Sequence, residues 1–304
     1  MRIVYAILLA SLLAHAQRSV VVTIDDLPVV HAGGRGCQWE FLQGITRKLL
    51  EPIREHRVPV TAFVTAGNCA NLTLEQRRSI LRMWQEAGAE LGNHTYSHHD
   101  LNTKPVADYE RDILRADSVL RETLQVPRLR WFRFPMLHAG ADPQTKARLA
   151  QFLSQHGWRQ GPVTFDNSDW MFAFVFANGP PAMAQKVREA YVPYMESVIE
   201  FFEGRSVEVV GREFPQVLLI HSNLLNAEKL PDILGMLKRR GYRFVDLETA
   251  LKDPAYSLPD EYAGKGGFSW IHRWSRAKGM PNKGEPDEPA WLRAEYERIM
   301  QARR

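Results

Sequence analysis

Residues 20–29 read VVVTIDDLPV, in which a β-branched apolar run gives way to two adjacent carboxylates and then a proline. Such a run is typical of a buried strand in a parallel sheet. A single aspartate after a strand commonly caps the next turn or helix. Two in a row, Asp25 and Asp26, raise each other's pKa and oppose folding unless positive charge or solvent lies between them. A metal ion, an arginine and plain solvent are the three candidates for that partner.

Strand-like and helix-like segments alternate from this strand onward. The seven β-runs are SVVVTIDD, VPVTAFVTAG, AELGNH, LRWFRFP, WRQGPVTFD, QVLLIH and YRFVDLETAL, and a long helical region covers 181–203. This order predicts an α/β protein whose parallel sheet closes as a distorted (β/α)7-type, TIM-like barrel. A doubly wound open sheet is the alternative, but no glycine-rich phosphate loop follows the first strand.

The first residues and the charge pattern bear on location and partners. Residues 1–16, MRIVYAILLASLLAHA, combine one positive charge, a short apolar stretch and a small-x-small end, which predicts a signal peptide. We therefore expect export to the periplasm or the extracellular space. No later segment reaches the roughly 20 apolar residues of a membrane helix, so stable membrane insertion is not expected. The net charge of +4 is spread along the chain, which argues against nucleic-acid binding, and we expect a monomer.

The unusual polar residues fall where predicted strands end. After Asp25 and Asp26 they are His94 and His98 in GNHTYSHHD, Arg133 in WFRFP, Asp166, Asp169 and Trp170 in DNSDW, and His221 closing VLLIH. In a parallel barrel these ends converge on one face, where active sites are built. A lone histidine in such a place more often serves a core or a cap, but the joint placement favours a catalytic site.

His94 and His98 are four residues apart. On one helical turn their rings would point the same way and suit a metal bound by two imidazoles, although many such pairs are only solvated surface. One carboxylate from the first strand would complete three protein ligands and leave positions open for water and substrate. Its neighbour could then take a proton from metal-bound water, which would explain why two aspartates are adjacent.

In this order the motifs resemble those of the NodB-homology polysaccharide deacetylases, carbohydrate esterase family 4, from about Val20 to Leu251. The resemblance implies the following roles: Asp25 as catalytic base, Asp26, His94 and His98 as metal ligands, Arg133 as the residue that steadies the base, His221 as the acid, Asp169 as the residue that tunes it, and Trp170 and Pro135 as substrate-binding residues. The implied cofactor is a divalent cation, first of all Zn²⁺, with Co²⁺, Mn²⁺ or Ni²⁺ as alternatives. Two positions depart from the family pattern, because Leu27 precedes Pro28 and Met136 follows Pro135.

The activity that this resemblance implies is metal-dependent removal of N-acetyl groups from an N-acetylated polysaccharide or oligosaccharide, such as peptidoglycan or chitin. A glycan is then the expected partner. Hydrolysis of a small amide or an O-acyl ester by the same fold is one alternative. A carbohydrate-binding protein without turnover is another, but such a protein needs neither Asp25 nor His221.

The chain divides into the signal peptide at 1–16, the barrel at 17–252 and a tryptophan-rich C-terminal extension at 253–304. Indole rings are costly to leave in water. Trp270, Trp274 and Trp291 are the three tryptophans of the extension, and they predict that it packs on the barrel. A frayed appendage and a sugar-stacking surface are the alternatives.

Cys37 and Cys69 are the only cysteines, and each follows one of the first two predicted strands. In a barrel both would lie in neighbouring loops on the active-site face. An exported protein permits a disulfide, so the sequence predicts that these two cysteines are paired, with two separate buried thiols as the alternative.

Overall fold

A computed structural model of the chain describes residues 18–303, so the predicted signal peptide lies outside it. Its strands are β1 (Ser19–Leu27), β2 (Val60–Val64), β3 (Glu90–Asn93), β4 (Trp131–Phe132), β5 (Arg159–Gln160), β6 (Gln216–His221) and β7 (Arg243–Phe244). Its α-helices are α1 (Trp39–Glu55), α2 (Leu74–Glu86), α3 (Val106–Leu124), α4 (Pro143–Gln155), α5 (Asp169–Asn178), α6 (Pro181–Val210), α7 (Leu224–Arg239), α8 (Leu247–Ala250), α9 (Trp270–Ala277) and α10 (Ala290–Gln301).

The strands pair in parallel in the order β5-β4-β3-β2-β1-β6, and β7 pairs with β1. Between β5 and β6 the sheet curves round without a regular strand. There the backbone N–H groups of Thr164 and Phe165 both donate to the carbonyl of Val217, at 3.0 Å each. The architecture is therefore a distorted parallel barrel, as the alternation of segments predicted.

Apolar periodicity accounts for the outer helices. In α1 the buried residues Leu42, Ile45, Leu49 and Ile53 recur every three or four positions, which turns one stripe of the helix towards the sheet. The β1 strand is buried along its whole length, as the near-continuous apolar run predicted. These elements form the core below the carboxyl ends of the strands.

Helix α5 is absent from the sequence-based prediction. Its sequence, DWMFAFVFAN, is apolar on all sides, and it packs among α6, α7 and α10. A helix buried all round has no amphipathic period, so the pattern that identifies surface helices is missing.

The run YRFVDLETAL is a strand only at Arg243–Phe244, which corrects the longer predicted strand. Asp246 is the N-cap of α8, and its side chain accepts a hydrogen bond from the N–H of Thr249 at 2.7 Å. An aspartate at a helix N-cap accepts a hydrogen bond from a backbone N–H of the first helical turn. This cap favours a helix over continuation of the strand at this point. Within residues 18–303, none of the helices is long and apolar enough to cross a bilayer.

The predicted disulfide is confirmed, because Cys37 and Cys69 are bonded to each other across 32 positions of sequence. It ties the loop before α1 to the loop after β2 on the active-site face.

Replacing both cysteines with serine is expected to lower the free energy of unfolding by roughly 3 to 4 kcal/mol, because a loop of this length gains that much entropy in the open unfolded chain. Chemical denaturation of the Cys37→Ser/Cys69→Ser variant against the wild type measures the change. A denaturation midpoint equal to that of the wild type, with an equal slope, would show that the bond does not stabilise the fold.

The C-terminal extension, residues 253–304, is called the tail below. It contacts the barrel through α9 and α10, which lie against α6 and α5 respectively. Trp270 and Trp274 are buried, and the ring of Trp274 lies 5.8 Å from that of Phe214. Trp291 is half-buried, and the ammonium group of Lys186 lies 4.3 Å from the centre of its ring. The indoles of the tail are therefore largely removed from water.

Candidate active site

The carboxyl ends of β1, β3 and β6 open into one pocket of about 710 Å³. Asp25, Asp26, His94, His98 and His221 all line it, so the structure brings together residues that lie up to 196 positions apart in sequence.

Two adjacent strand residues normally point to opposite faces of a sheet. Here the register of β1 against β2 shifts between Ile24 and Leu27, and Asp26 adopts a left-handed φ of 63°. This break in the alternation lets Asp25 and Asp26 face the same pocket. The adjacent carboxylates of Asp25 and Asp26 therefore both line the same site.

Asp26, His94 and His98 form a compact donor cluster whose ligand atoms all lie within 4.8 Å of one another. Asp26 Oδ1 is 3.3 Å from His98 Nε2 and 3.8 Å from His94 Nε2. Thr65 also donates a hydrogen bond to this carboxylate oxygen at 2.9 Å. Burial opposes ionisation of Asp26, but the surrounding histidines, His98 most of all, and the hydrogen bond from Thr65 outweigh burial and lower the pKa of the carboxyl group to about 2.

This cluster fits a divalent cation. Donor atoms around a tetrahedral ion of this kind lie roughly 3.4 Å from one another. The two spacings from Asp26 to the histidines, 3.3 and 3.8 Å, are close to this value. His94 Nδ1 lies 2.8 Å from the backbone carbonyl of Arg133, so it carries the proton and leaves the lone pair of Nε2 for the cluster. Burial also lowers the pKa of His94, which favours the neutral ring that metals bind.

The segment from His94 to His98 is a loop, so the predicted helical turn is wrong. Thr95 and His98 have positive φ values of 66° and 50°, which no right-handed helix contains. Asp112 of α3 accepts hydrogen bonds from the N–H groups of Tyr96 and Ser97 at 3.1 and 2.9 Å. Tertiary contacts with α3 hold this loop, and they bring the two imidazoles within 5.0 Å between ring centres.

Arg133 is fully buried and lies beside Asp25. Its Nη1 group donates to Asp25 Oδ1 at 2.8 Å and to Thr23 Oγ1 at 2.7 Å. Its other nitrogens donate to the carbonyls of Gly161 and Pro162. Asp25 Oδ2 is left 3.7 Å from His94 Nε2, so one oxygen is held by the arginine and the other faces the donor cluster.

His221 faces the pocket from the end of β6 and is held by Asp169. Asp169 Oδ1 lies 2.6 Å from His221 Nδ1, and Asp169 Oδ2 accepts hydrogen bonds from the His221 N–H and from Asn226, both at 2.8 Å. Burial opposes the charged ring, but the charge and hydrogen bond of Asp169 outweigh it and raise the pKa of His221 to about 10. The ring can therefore carry a proton on Nε2 near neutral pH.

The other predicted residues are divided between pocket and interior. Trp170 and Asp166 line the pocket. Pro135 is buried, and the pocket is lined instead by Met136 and Leu137, the two residues after it.

Sequence reasoning missed several residues of the site. Thr65, Asp112 and Asn226 each hold a predicted site residue or its loop through the hydrogen bonds given above. His31 lines the pocket, and burial together with the charge of His221 lowers its pKa to about 4. The tail also contributes residues to the pocket, from Gly267 onward. Only the placement of the tail could have identified these last residues, since no motif marks them.

Known proteins resemble this chain in sequence and in fold. The family model Polysaccharide deacetylase matches residues 14–159. The chain is 40% identical over 223 residues to peptidoglycan-N-acetylmuramic acid deacetylase PdaA of Bacillus subtilis, and the aligned region covers 72% of this chain and 71% of that protein. It is 30% identical over 154 residues to a chitooligosaccharide deacetylase of Sinorhizobium fredii, and here the aligned region covers 48% of this chain and 66% of that protein. These matches span about two thirds of the length of either relative.

Among solved structures, the polysaccharide deacetylase Bc1974 from Bacillus cereus matches with a TM-score of 0.53 over 75% of this chain and 91% of that chain. The identity is 17%, so this likeness supports the fold alone. Together the fold and the ordered motifs are those of a NodB-type barrel. The chain belongs to the polysaccharide deacetylase family.

Proposed function

We propose that the chain is a metal-dependent hydrolase that removes N-acetyl groups from glycans. The observation that carries the proposal is the convergence of three functional groups on one pocket: the donor cluster of Asp26, His94 and His98, the carboxylate of Asp25, and the His221–Asp169 pair. A pure binding protein would need neither a base nor an acid beside the cluster.

Asp26, His94 and His98 would hold the cation, and Zn²⁺ is the first candidate because two imidazoles and one carboxylate suit it. When bound, such a cation polarises a carbonyl oxygen and lowers the pKa of a coordinated water. Co²⁺, Mn²⁺ and Ni²⁺ accept the same donors.

Asp25 acts as the general base in this proposal. The hydrogen bond from Arg133 fixes one of its oxygens, so the other is directed towards the donor cluster. A base in this position can take a proton from the attacking water. Arg133 is a positioning residue, because it touches Asp25 and is fully buried.

His221 acts as the general acid. Asp169 engages Nδ1, so the protonated Nε2 is the group available to the leaving nitrogen of the amide. Transfer of that proton would release a neutral amine. Trp170, which lines the pocket beside this pair, would form the side of the pocket against which the sugar ring lies.

The pH dependence follows from the raised pKa of His221. The charged acid is present below its folded pKa, about 10, and is lost as the pH rises through that value. A cation beside Asp26 opposes the charged ring, so the alkaline limb of kcat in the loaded enzyme is expected below pH 10. Asp169→Asn removes the charge that raises this pKa, and we expect the limb to move to lower pH in a rate profile between pH 6 and 10. An unmoved limb would show that His221 is not the acid.

Incubation of zinc-loaded protein with chitin oligomers, peptidoglycan, an O-acetylated glycan and a small N-acetyl amide tests the proposal through released acetate. Release from the N-acetylated glycans is expected. Release only from the O-acetyl ester or the small amide would support the alternative substrates, and no release from any of them would contradict a hydrolase.

We also propose that the mature protein is exported. Residues 1–16 have the pattern of a signal peptide, and the bonded pair Cys37–Cys69 suits an oxidising compartment. Expression of the full chain followed by N-terminal sequencing of the exported form would test this, with cleavage expected after Ala16.

A further inference from the structure

Three aromatic side chains that line the pocket, His31, Trp170 and Tyr296, are connected through a fourth ring that is buried. Trp170 and Tyr296 meet edge-on with 5.5 Å between their ring centres, and Tyr296 meets the buried ring of Phe174 at 5.1 Å. His31 meets Phe174 edge-on at 5.7 Å. The three pocket rings come from the loop after β1, from α5 and from α10 of the tail. We call His31, Trp170 and Tyr296 the aromatic side of the pocket.

Most of the charged and polar side chains that line the pocket already have a polar partner. The pairs are Asp25 with Arg133, His98 with Asp26, His221 with Asp169, Arg293 with Glu288, Glu285 with His272, and Asn167 with the carbonyl of Leu219. Positive and negative groups of the pocket are therefore largely engaged with one another.

The aromatic side differs in this respect. Its three side chains are half-buried, and within residues 18–303 none of their polar atoms makes a hydrogen bond or an ion pair. In either protonation state an imidazole has at least one N–H donor, and a tyrosine hydroxyl both donates and accepts. The aromatic side therefore offers free hydrogen-bonding groups next to the apolar surfaces of its rings.

The loop that carries His31 is held against the end of β6. The N–H of Val30 donates to the carbonyl of Ser222 at 2.8 Å, and Ser222 Oγ donates to the carbonyl of Pro28 at 2.9 Å. Ser222 directly follows His221, the proposed acid. Because these bonds already order the loop, a ligand that contacts His31 loses little affinity to ordering of the protein.

We infer that His31 and Tyr296 form hydrogen bonds with hydroxyl groups of the bound glycan. A sugar residue has C–H surfaces that suit an aromatic ring and hydroxyl groups that need polar partners. Ligand sites are lined mostly by apolar and aromatic side chains, and a few polar groups fix the orientation of the ligand. The inference rests on the proposed function, because it concerns how a glycan is held in that site.

Tyr296→Phe tests one of the two contacts. Calorimetry with an N-acetylglucosamine tetramer in the metal-loaded Asp25→Asn background measures binding separately from turnover. The substitution removes the hydroxyl group and retains the ring that contacts Trp170 and Phe174. We expect the tetramer to bind about three- to tenfold more weakly, which is the contribution of one hydrogen bond.

His31→Phe in the same background retains a ring against Phe174 and removes both ring nitrogens. We expect a loss of affinity of similar size. His31→Gln restores an N–H donor and an acceptor, and it should recover most of the affinity. A role of His31 in packing alone would give the opposite order, because phenylalanine preserves the ring contact and glutamine does not.

The matched controls are Tyr109→Phe and His156→Phe. The hydroxyl group of Tyr109 is buried on α3 and has no hydrogen-bond partner in the part of the chain that the structure describes. His156 is exposed at the end of α4. Neither residue lines the pocket, so both controls should leave the affinity for the tetramer unchanged. The bound metal should equal that of the background in all of these variants.

Unchanged affinity in Tyr296→Phe and His31→Phe, or no recovery in His31→Gln, would overturn the inference. A tetramer that does not bind the background protein would overturn it as well. Binding that depends on both residues, without acetate release by the Asp25-containing enzyme, would support the two contacts and contradict the proposed reaction. Acetate release and tetramer binding that neither substitution changes would do the reverse.

Discussion

Asp25→Asn is expected to lower kcat for deacetylation by about 10²- to 10⁴-fold while the metal content stays unchanged. The amide cannot accept the water proton, but its oxygen can still accept the hydrogen bond from Arg133 that Asp25 Oδ1 accepts in the wild type. Kinetics on an N-acetylglucosamine oligomer and metal analysis of the same dialysed sample measure the two quantities.

The matched control for this variant is Asp232→Asn, which removes an exposed aspartate on α7 and should leave kcat unchanged. A melting temperature measured for each variant separates chemistry from folding, because Arg133 is buried and loses its charged partner. Near wild-type turnover by Asp25→Asn would show that another group is the base.

His94→Ala and His98→Ala are expected to reduce bound metal to well below one equivalent after dialysis and to abolish acetate release. Each removes one of the three proposed ligands, and we expect the remaining two not to hold the ion against dialysis. Elemental analysis of purified protein measures the loss.

His99→Ala is the control for this pair, because His99 is adjacent to His98 in sequence but is not a member of the donor cluster. It should retain the metal. Full occupancy in both His94→Ala and His98→Ala would contradict the assigned ligands.

The barrel could be predicted from the sequence because buried positions in its strands and amphipathic helices follow local apolar patterns. The run at β1 is buried on both sides and therefore apolar throughout, and α1 shows a clear stripe. Helix α5 could not be found in this way, since it is apolar on every side. The last strand was overestimated because Asp246 ends it by capping α8.

The residue types of the site could be predicted because they occur in short polar motifs directly after the predicted strands. Their geometry could not be, because the loop that carries His94 and His98 is shaped by Asp112, on a different helix. The pocket residues Glu285, Asp287 and Glu288 were also beyond prediction. They lie in a segment without periodicity, and they reach the pocket only because α9 and α10 pack on α6 and α5.

In the proposed reaction, a cation held by Asp26, His94 and His98 is required for hydrolysis of an N-acetyl group. The most direct test of this requirement is the titration of chelator-treated protein with Zn²⁺ while acetate release from an N-acetylglucosamine tetramer is followed. We expect no release from the stripped protein and a linear recovery that saturates at about one equivalent. Release by the stripped protein at the rate of the reloaded one would contradict it.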